Sequence, residues 1–226
     1  MNPEVVITGD GSSTLLHSGT GEHYHSVHGA VAESMHVFIE CGLQQTDPAT
    51  DPLNILEVGF GTGLNALLTL LGTLGNPRYV RYDAIEPFPL PPAVIRSLNY
   101  PDILPGQAVR ASFERLHEIP TGTAVKVAEH FSLTRLTAKL GDILLPDGTY
   151  HLIYFDAFSP NVQPELWEPA VFRKLIASMK PGGMLLTYCA KGLAARSMKE
   201  AGFIVEKLAG PPGKRHMLRA RAGRSG

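Results

Sequence analysis

The sequence contains few cysteines and no arrangement typical of a metal site. Cys41 and Cys189 are its two cysteines, and neither lies in a CxxC or CxxH spacing. Both occur in apolar stretches, so we expect buried free thiols in a reducing compartment and no disulfide. His23, His25 and His28 are close together in the chain but have no matching set of ligands nearby. The sequence therefore predicts no metal centre.

Long hydrophobic runs are also lacking. The longest apolar segment, residues 64–74, is too short and too rich in glycine to cross a bilayer. The N-terminal stretch "MNPEVVITGD" has no basic region followed by an apolar run, which is the pattern of a secretory signal peptide. These two observations predict a cytoplasmic protein.

Charge of one sign is not in excess overall. The formal net charge is −1, with 44% hydrophobic and 18% charged residues, a composition typical of a folded globular chain. These totals give no sign of a nucleic-acid-binding protein. The distribution is uneven, however, because residues 214–226 contain several basic side chains and no acid: Lys214, Arg215, Arg219, Arg221 and Arg224. This basic end weakly indicates a polyanionic partner, and a solvated tail explains it equally well.

What the chain does have is a regular alternation of strand-like and helix-like segments. Over residues 51–220 this alternation predicts a Rossmann-like α/β fold with a mostly parallel sheet and a C-terminal antiparallel strand. Residues 1–50 predict a small β-ribbon and a helix packed on this domain, and residues 221–226 predict a flexible tail. Within residues 101–135 we predict only a helix near Ser112–His117 and a strand near Val125–His130.

Glycine is concentrated in one loop, "EVGFGTGLN", between the first strand and the first helix of the α/β region. Glycine permits a sharp turn and lets backbone N–H groups approach a ligand closely. The spacing is G-x-G-x-G after Glu57, whereas a dinucleotide fingerprint is G-x-G-x-x-G. A pyrophosphate disfavours a nearby carboxylate, while the sulfonium and amino groups of S-adenosylmethionine tolerate it. We therefore favour S-adenosylmethionine as the ligand, with a tight turn that binds nothing as the alternative.

Acidic residues lie where a parallel sheet would bring them to the same edge. Glu86 follows the second strand, where a carboxylate accepts hydrogen bonds from ribose hydroxyls, a feature shared with NAD-binding proteins. Asp142, in "KLGDIL", is placed either to accept from an adenine amino group or to be an ordinary turn acid. Asp156 follows an apolar strand in "YFDAFSPNVQPELW", where a carboxylate has a desolvation cost that a function would explain.

Several segments, in the same order, resemble one family. They are "ILEVGFGTGLNALL", "LGDI", "YFDAFSPNVQPELW", "KPGGMLLTY" and "GPPGKRHML", preceded by the entry segment "YHSVHGAVAESMHVFIECGL". They resemble the class I S-adenosylmethionine-dependent methyltransferases that complete 5-methylaminomethyl-(2-thio)uridine in tRNA. The resemblance extends from about Tyr24 to Leu218. His216 departs from the family pattern, in which an acid is expected.

The resemblance implies a methyl acceptor, the primary amine of an aminomethyl group on the wobble uridine, and hence contact with the anticodon region of tRNA. It implies that the cofactor is bound by the following residues: Glu57, Gly59, Phe60, Gly61, Thr62, Gly63, Asn65, Glu86 and Asp142. In many bacteria an FAD-dependent oxidase domain follows the methyltransferase. This chain resembles the stand-alone form without FAD, to which a separate oxidase or modification enzyme would supply the substrate amine.

The resemblance also makes Asp156 the catalytic residue. A carboxylate with a pKa of about 3.9 is a poor base for an ammonium with a pKa of about 10. We therefore expect Asp156 to accept a hydrogen bond from the amine, orient it, and stabilise the charge that develops, with its pKa raised by the apolar strand beneath it. Phe158 would stack on an extruded base, while Ser159 and Pro160 would turn the chain on the substrate side.

Further residues are predicted on the tRNA side of the site. Lys214 and Arg215 would hold phosphates, although a surface charge without a partner explains either one nearly as well. Tyr24 and Ser26, in the entry segment, are assigned to the same side by the resemblance. For Trp167 we expect packing in the core instead of a contact with a base.

Three other functions fit parts of the pattern. An aminopropyl transferase uses a similar sheet and a related cofactor, but it normally has an additional acid in the loop, which "GFGTG" lacks. A methyltransferase that acts on a small-molecule amine agrees with the near-neutral charge. A non-catalytic nucleoside-binding module would not need a desolvated carboxylate at Asp156.

Overall fold

The computed structural model describes residues 3–223. The strands in this range are β1 (Glu4–Ile7), β2 (Ser13–Leu16), β3 (Leu53–Val58), β4 (Val80–Ile85), β5 (Val125–Ala128), β6 (Phe131–Leu136), β7 (Tyr150–Phe155), β8 (Met179–Thr187), β9 (Ile204–Ala209) and β10 (His216–Arg221). The α-helices are α1 (Ala30–Ser34), α2 (Leu64–Thr73), α3 (Pro92–Arg96), α4 (Tyr100–Ile103), α5 (Val109–Glu118), α6 (Pro169–Ser178) and α7 (Gly192–Glu200). A π-helix at Met35–Glu40 continues α1, and 3₁₀ turns lie at Leu43–Gln45, Leu140–Asp142 and Pro164–Trp167.

Eight of the strands within residues 3–223 form one sheet, in the order β5-β6-β4-β3-β7-β8-β10-β9. The central strands, from β6 to β8 in this order, run parallel, which confirms the predicted Rossmann-like α/β class. β10 runs antiparallel to both β8 and β9, as predicted for the C-terminal strand. β5 is also antiparallel to its neighbour β6, because a short hairpin connection cannot form a parallel crossover.

Side chains that alternate along the strands form two buried layers. In β3, Leu53 and Ile55 face the layer that α1, α2 and α5 cover, while Leu56 and Val58 face the layer that α6 and α7 cover. These side chains are all buried, and each contributes about 1.5–3 kcal/mol to the stability of the fold. A strand covered on both faces shows a continuous apolar run, which is why "NILEVG" has no polar alternation.

The strand order reverses between β3 and β7. From β3 the chain runs outward through β4 to β6, and it then returns to β7, which pairs with the other side of β3. The loops that follow β3 and β7 therefore emerge side by side at the carboxyl edge of the sheet. Doubly wound sheets bind their ligands at such a reversal. Here the two loops contain the glycine loop of residues 59–63 and Asp156.

The N-terminal ribbon is joined to the first helix by side-chain caps. β1 and β2 pair antiparallel, and the turn between them contains Asp10 and Ser12. Asp10 Oδ2 accepts a hydrogen bond from Ala32 N–H at 2.8 Å, and Ser12 Oγ accepts from Ala30 N–H at 3.1 Å and from Val31 N–H at 3.2 Å. The first N–H groups of a helix have no partner inside the helix. The ribbon therefore supplies the N-terminal cap of α1.

The segment 101–135 is more structured than predicted. The helix and strand expected there are present as α5 and β5, and α4 precedes them. β6, which was not predicted, pairs parallel with β4 along its whole length. Its sequence "FSLTRL" alternates apolar and polar residues, as expected for a strand near the edge of a sheet with one face less buried.

Smaller differences concern the cysteines and the C-terminal end. Cys189 is buried, as predicted, but Cys41 is partly exposed, so the prediction that both thiols are buried is wrong for Cys41. β10 extends to Arg221, one residue into the predicted tail, and Ala222 is buried. The last part of that tail, residues 224–226 with Arg224, lies outside the described residues.

No helix within residues 3–223 is long and apolar enough to cross a membrane. Over the same range, no three His, Cys, Asp or Glu side chains are grouped as the ligands of a metal ion.

Candidate active site

The glycine loop approaches the loop after β7 at van der Waals distance. Gly59, Gly61 and Gly63 have φ angles of 92°, 46° and 75°, a backbone conformation that only glycine adopts without strain. A side chain at Gly59 would place its Cβ 2.5 Å from the carbonyl oxygen of Asp156. The second loop is also fixed to β3, because Asp156 N–H donates a hydrogen bond to Val58 O at 2.9 Å. The predicted cofactor loop and the predicted catalytic residue are therefore neighbours.

Glu86 holds the glycine loop from the side of β4. Its carboxylate accepts hydrogen bonds from Gly61 N–H at 3.0 Å and from Phe88 N–H at 2.9 Å, one on each oxygen. Burial raises the pKa of Glu86, and these two hydrogen bonds oppose that shift. Each carboxylate oxygen has more than one acceptor position, so Glu86 retains capacity for two ribose hydroxyls.

Asn65, in the first turn of α2, bridges two carboxyl groups. Its Nδ2 donates to Glu57 Oε1 at 2.9 Å and to Asp156 Oδ2 at 2.8 Å. Glu57 is fully buried, and within residues 3–223 neither its Oε2 nor Asn65 Oδ1 has a hydrogen-bonding partner. Burial, reinforced by the charge of Asp156, raises the pKa of Glu57 well above its usual range. Glu57 is thus held through Asn65, and its burial favours the neutral form of the carboxyl group.

Asp156 is partly buried at the carboxyl end of β7. Burial raises its pKa to about 7, and the negative charge of Glu33 adds to this shift. The hydrogen bond from Asn65 and the positive charge of Lys214 oppose it. Burial is thus the main cause that raises the pKa of this carboxyl group.

The entry segment forms a wall over both loops. The ring of Tyr24 lies edge-on to the ring of Phe158, with centroids 5.0 Å apart, and a Cβ at Gly61 would lie 3.2 Å from Tyr24 Cδ1. Glu22 accepts a hydrogen bond from Ser159 N–H at 3.1 Å and another from the Ser159 hydroxyl. Glu22 was not among the predicted site residues, because nothing in the sequence relates it to a loop 137 positions away.

Side chains beneath the second loop hold its carbonyl groups. Trp167 is buried against Phe155, as predicted, and its Nε1–H donates to the carbonyl of Phe158 at 2.8 Å. Tyr188 Oη donates to the carbonyl of Ala157 at 3.0 Å. The loop that contains Asp156 is therefore fixed through its own backbone on both sides.

A second missed cluster supports the glycine loop from behind. His117 Nε2 contacts the carbonyl of Thr62 at 3.1 Å, and the guanidinium of Arg135 lies 5.3 Å from the ring centroid of Phe60. Arg135 also donates to the carbonyl of His117 at 2.6 Å. Burial and the charge of Arg135 lower the pKa of His117 to about 4, so this imidazole is neutral at physiological pH. The segment whose role the sequence left open thus stabilises the cofactor loop.

The other predicted residues differ in how they are placed. Asp142 is exposed in a 3₁₀ turn, and its carboxylate makes no hydrogen bond within the part of the chain that the structure describes. Ser26 Oγ accepts from His28 N–H at 3.2 Å, and Pro160 is buried. No contact among the described residues joins Asp142 to the glycine loop, so its predicted contact with adenine stays a prediction.

The two basic residues predicted to hold phosphates have different surroundings. Arg215 is exposed. The ammonium group of Lys214 instead forms an ion pair with the buried carboxylate of Glu33 and lies 3.9 Å from the ring centroid of Tyr188. Lys214 is thus paired with a buried acid of the fold, while the exposed Arg215 remains available to a ligand at the surface.

The site has a glycine loop at the strand reversal, an acid at the end of the next strand and a buried asparagine that joins Glu57 to Asp156. These features are typical of a nucleoside-binding α/β enzyme. A family model described as S-adenosyl-L-methionine-dependent methyltransferase matches residues 109–222, which is half of the chain. The chain belongs to this family, and it is an enzyme that uses S-adenosylmethionine.

Known proteins resemble the chain over most of its length. The tRNA 5-methylaminomethyl-2-thiouridine biosynthesis bifunctional protein MnmC of Burkholderia mallei (strain SAVP1) is 31% identical over 211 residues, which are 88% of this chain and 32% of the relative. The protein of the same name from Thiobacillus denitrificans is 30% identical over 221 residues, 91% of this chain and 35% of the relative. The chain therefore spans about a third of the length of these curated relatives.

Solved structures give the same picture. The crystal structure of MNMC2 from Aquifex aeolicus superposes with a TM-score of 0.81 at 25% identity, covering 99% of this chain and 71% of that one. Spermidine synthase from Thermotoga maritima superposes with a TM-score of 0.54 at 12% identity, covering 95% and 69%. The second likeness concerns the fold alone.

Proposed function

We propose that this chain transfers a methyl group from S-adenosylmethionine to the primary amine of 5-aminomethyl-(2-thio)uridine at the wobble position of tRNA, giving 5-methylaminomethyl-(2-thio)uridine. The relatives named for the biosynthesis of this nucleoside support the proposal, since the similarity extends over 88% and 91% of the chain. The neighbouring loops of Gly59 and Asp156 support it independently. They bring the loop proposed to bind the cofactor close to a carboxyl group that can accept a hydrogen bond from an amine.

The residues around the glycine loop fit S-adenosylmethionine. A Cβ at Gly61 would enter the space beside Tyr24, and Glu86 retains acceptor capacity for ribose hydroxyls. In this proposal the glycine loop from Gly59 to Gly63 cradles the cofactor, with Phe60 and Thr62 held from behind. Asp142 accepts from adenine. When bound, S-adenosylmethionine supplies the methyl group and its positive sulfonium.

Asp156 is the observation that carries the proposal. It is a partly buried carboxyl group whose backbone is fixed by Val58 and whose Oδ2 is held by Asn65, which leaves Oδ1 for an amine. With a pKa of about 7, a proton transfer from a lysine-like ammonium remains uphill by roughly 4 kcal/mol. The main contribution of Asp156 is therefore to orient the nitrogen lone pair, and well-oriented reactants gain roughly 7–11 kcal/mol.

The mouth of the site fits an unpaired base. Phe158 is partly exposed between Tyr24 and His17, and an aromatic ring in such a position would stack on an extruded uracil. Arg215 is exposed and would contact a phosphate of the anticodon region. In this proposal the protein acts in the cytoplasm, where a separate oxidase or modification enzyme provides the aminomethyl group.

To test this proposal, the enzyme is incubated with labelled S-adenosylmethionine and tRNA whose wobble uridine bears an aminomethyl group. Matched reactions contain tRNA with an unmodified wobble uridine, a small primary amine, or buffer alone. We expect label in the first tRNA only, and 5-methylaminomethyl-(2-thio)uridine among its digested nucleosides by mass spectrometry. Label in the small amine at a comparable rate would favour a small-molecule methyltransferase. Cofactor binding without any transfer would favour a nucleoside-binding module.

A further inference from the structure

The Lys214 ammonium, on a side chain that is 31% exposed, pairs with a buried carboxylate although the residue belongs to the basic C-terminal region. Its partner Glu33 is 4% exposed, and the second oxygen of that carboxylate accepts a hydrogen bond from Ser26 N–H at 2.9 Å. A buried carboxylate that loses its counter-ion is costly. The Glu33–Lys214 pair is therefore a fixed part of the fold, formed between residues 181 positions apart.

Tyr188 connects this ion pair to the catalytic loop. The Lys214 ammonium lies over one face of the Tyr188 ring, 3.9 Å from its centroid, a distance at which a cation is attracted to an aromatic ring. The hydroxyl of the same ring donates to the carbonyl of Ala157 at 3.0 Å. Ala157 directly follows Asp156. A series of contacts therefore runs from Glu33 through Lys214 and Tyr188 to the backbone next to Asp156.

The pair also acts on Asp156 through its charge. The charge of Glu33 raises the pKa of Asp156, and the charge of Lys214 lowers it. The ionisable groups around these residues are the following: His25, Glu57, Tyr82, Tyr100, Tyr188, Cys189, Glu22 and Asp10. Of these, His25 is neutral, because burial lowers its pKa to about 4. Lys214 is therefore the cation that lowers the pKa of this carboxyl group.

We propose that Lys214, held by Glu33, is a positioning residue of the amine pocket. It fixes Tyr188 and the loop that contains Asp156, and it does not bind a tRNA phosphate. Arg215, the next residue, is exposed and keeps the phosphate-binding role. This inference rests on the proposed methyl transfer for its kinetic readout, but its structural readout does not.

The kinetic experiment compares Lys214→Met with Arg215→Met, because each removes one positive charge from adjacent positions. We expect Lys214→Met to lower kcat roughly 10-fold to 100-fold, as small displacements of a catalytic group do, with KM for tRNA and its salt dependence unchanged. In the pH profile of kcat, the rise on the acidic side should move to higher pH in Lys214→Met, since a cation that lowers the pKa of Asp156 is lost. Arg215→Met should raise KM and make the salt dependence shallower by about one unit, with kcat unchanged.

Two controls separate positioning from loss of the fold. Lys214→Arg should recover most of kcat, because a guanidinium retains the charge and stacks on an aromatic ring. Melting temperature and cofactor affinity of each variant report on folding. Should Lys214→Met reduce stability severely, Glu33→Gln, which keeps the shape of the side chain, should give the same fall in kcat with KM unchanged.

A titration of the Asp156 carboxyl carbon by NMR gives the structural readout in the absence of tRNA. We expect its midpoint to move to higher pH in Lys214→Met and to stay unchanged in Arg215→Met. An unchanged midpoint in Lys214→Met, or a normal kcat with a raised KM and a shallower salt dependence, would overturn the inference. A wild-type enzyme that methylates no tRNA would instead count against the proposed function, and the shift of the midpoint would still stand.

Discussion

The two sides of the site are built in different ways. The side predicted to bind the cofactor consists of consecutive residues, Gly59 to Asn65, in which the three glycines have positive φ angles and Gly61 N–H donates to Glu86. The substrate side is assembled from distant parts of the chain. Glu22 accepts a hydrogen bond from Ser159, 137 positions away, and Lys214 pairs with Glu33, 181 positions away. A local loop tolerates little substitution but is readable from sequence, whereas the assembled side depends on tertiary contacts that no short motif encodes.

The largest effect on cofactor binding should come from the local side. Gly61→Val introduces a β-branched side chain at φ 46°, where its Cβ would lie 3.2 Å from the ring of Tyr24. Strain of 1–3 kcal/mol together with a filled cradle should weaken cofactor binding about 100-fold or more. Calorimetric titration with S-adenosylmethionine measures this. Gly72→Val, at an exposed position of α2 with space for a side chain, should bind normally. Equal losses in both variants would contradict a specific role for Gly61.

Asp156→Asn tests the carboxyl group that lies between the two sides of the site. The amide keeps the shape of the side chain but loses the charge that, in the proposed function, orients the amine, so turnover should fall about 100-fold to 10,000-fold. Cofactor affinity should stay close to that of the wild type. Single-turnover methylation and calorimetry measure the two quantities, and the exposed Asp147→Asn is the control. A variant that methylates at nearly the wild-type rate would show that Asp156 is not the catalytic residue.

A smaller effect is expected from the assembled side. Glu22→Gln replaces one of the carboxylate oxygens that accept from Ser159, which weakens a charge-assisted hydrogen bond. The Asp156 loop should become less ordered, and kcat should fall roughly tenfold, since such bonds contribute about 1.5–3 kcal/mol. Cofactor affinity should not change. Exposed Glu4→Gln is the control, and a parallel loss of cofactor affinity in Glu22→Gln would mean that the two sides are not separable.

The smallest effect concerns stability. The folded pKa of Asp156, about 7, is above its usual value of 3.8, so the folded state binds this proton more tightly than the unfolded state does. The resulting stabilisation is complete below pH 3.8 and is lost as the pH rises through about 7. Asp156→Asn should therefore melt a few degrees higher than the wild type at pH 8, with a smaller difference at pH 5. A difference that does not change with pH would contradict the raised pKa.

Sequence reasoning succeeded where the signal is local. The alternation of strands and helices predicted the parallel sheet, and the carboxyl ends of β3 and β7 predicted that the glycine loop and Asp156 would be neighbours. It missed β6, whose strand character depends on pairing with β4. It also missed His117 and Arg135 behind the cofactor loop. These residues have no distinctive spacing, and their role appears only when α5 and β6 fold against the loop.

Lys214 shows a different limit. A basic residue in a basic region is expected at the surface, and the sequence contains no sign that its partner would be Glu33 in the first helix. A count of charged residues describes the surface of a protein only when none of those residues pairs with a buried residue of opposite charge. The prediction for Arg215, which is exposed, rested on the same reasoning, and among residues 3–223 no buried acid pairs with it.

The contact between Gly59 and the carbonyl of Asp156 has a consequence for how the enzyme can change over time. Since the two loops touch through main-chain atoms, the proposed cofactor and amine sites would be held at a spacing set by the backbone and not by side-chain rotamers. Substitutions at the mouth can therefore alter which nucleoside or amine enters without moving the reacting groups apart. Under the proposed function, the fold would separate the choice of substrate from the alignment of the transfer, so that new specificities would arise with the reaction intact.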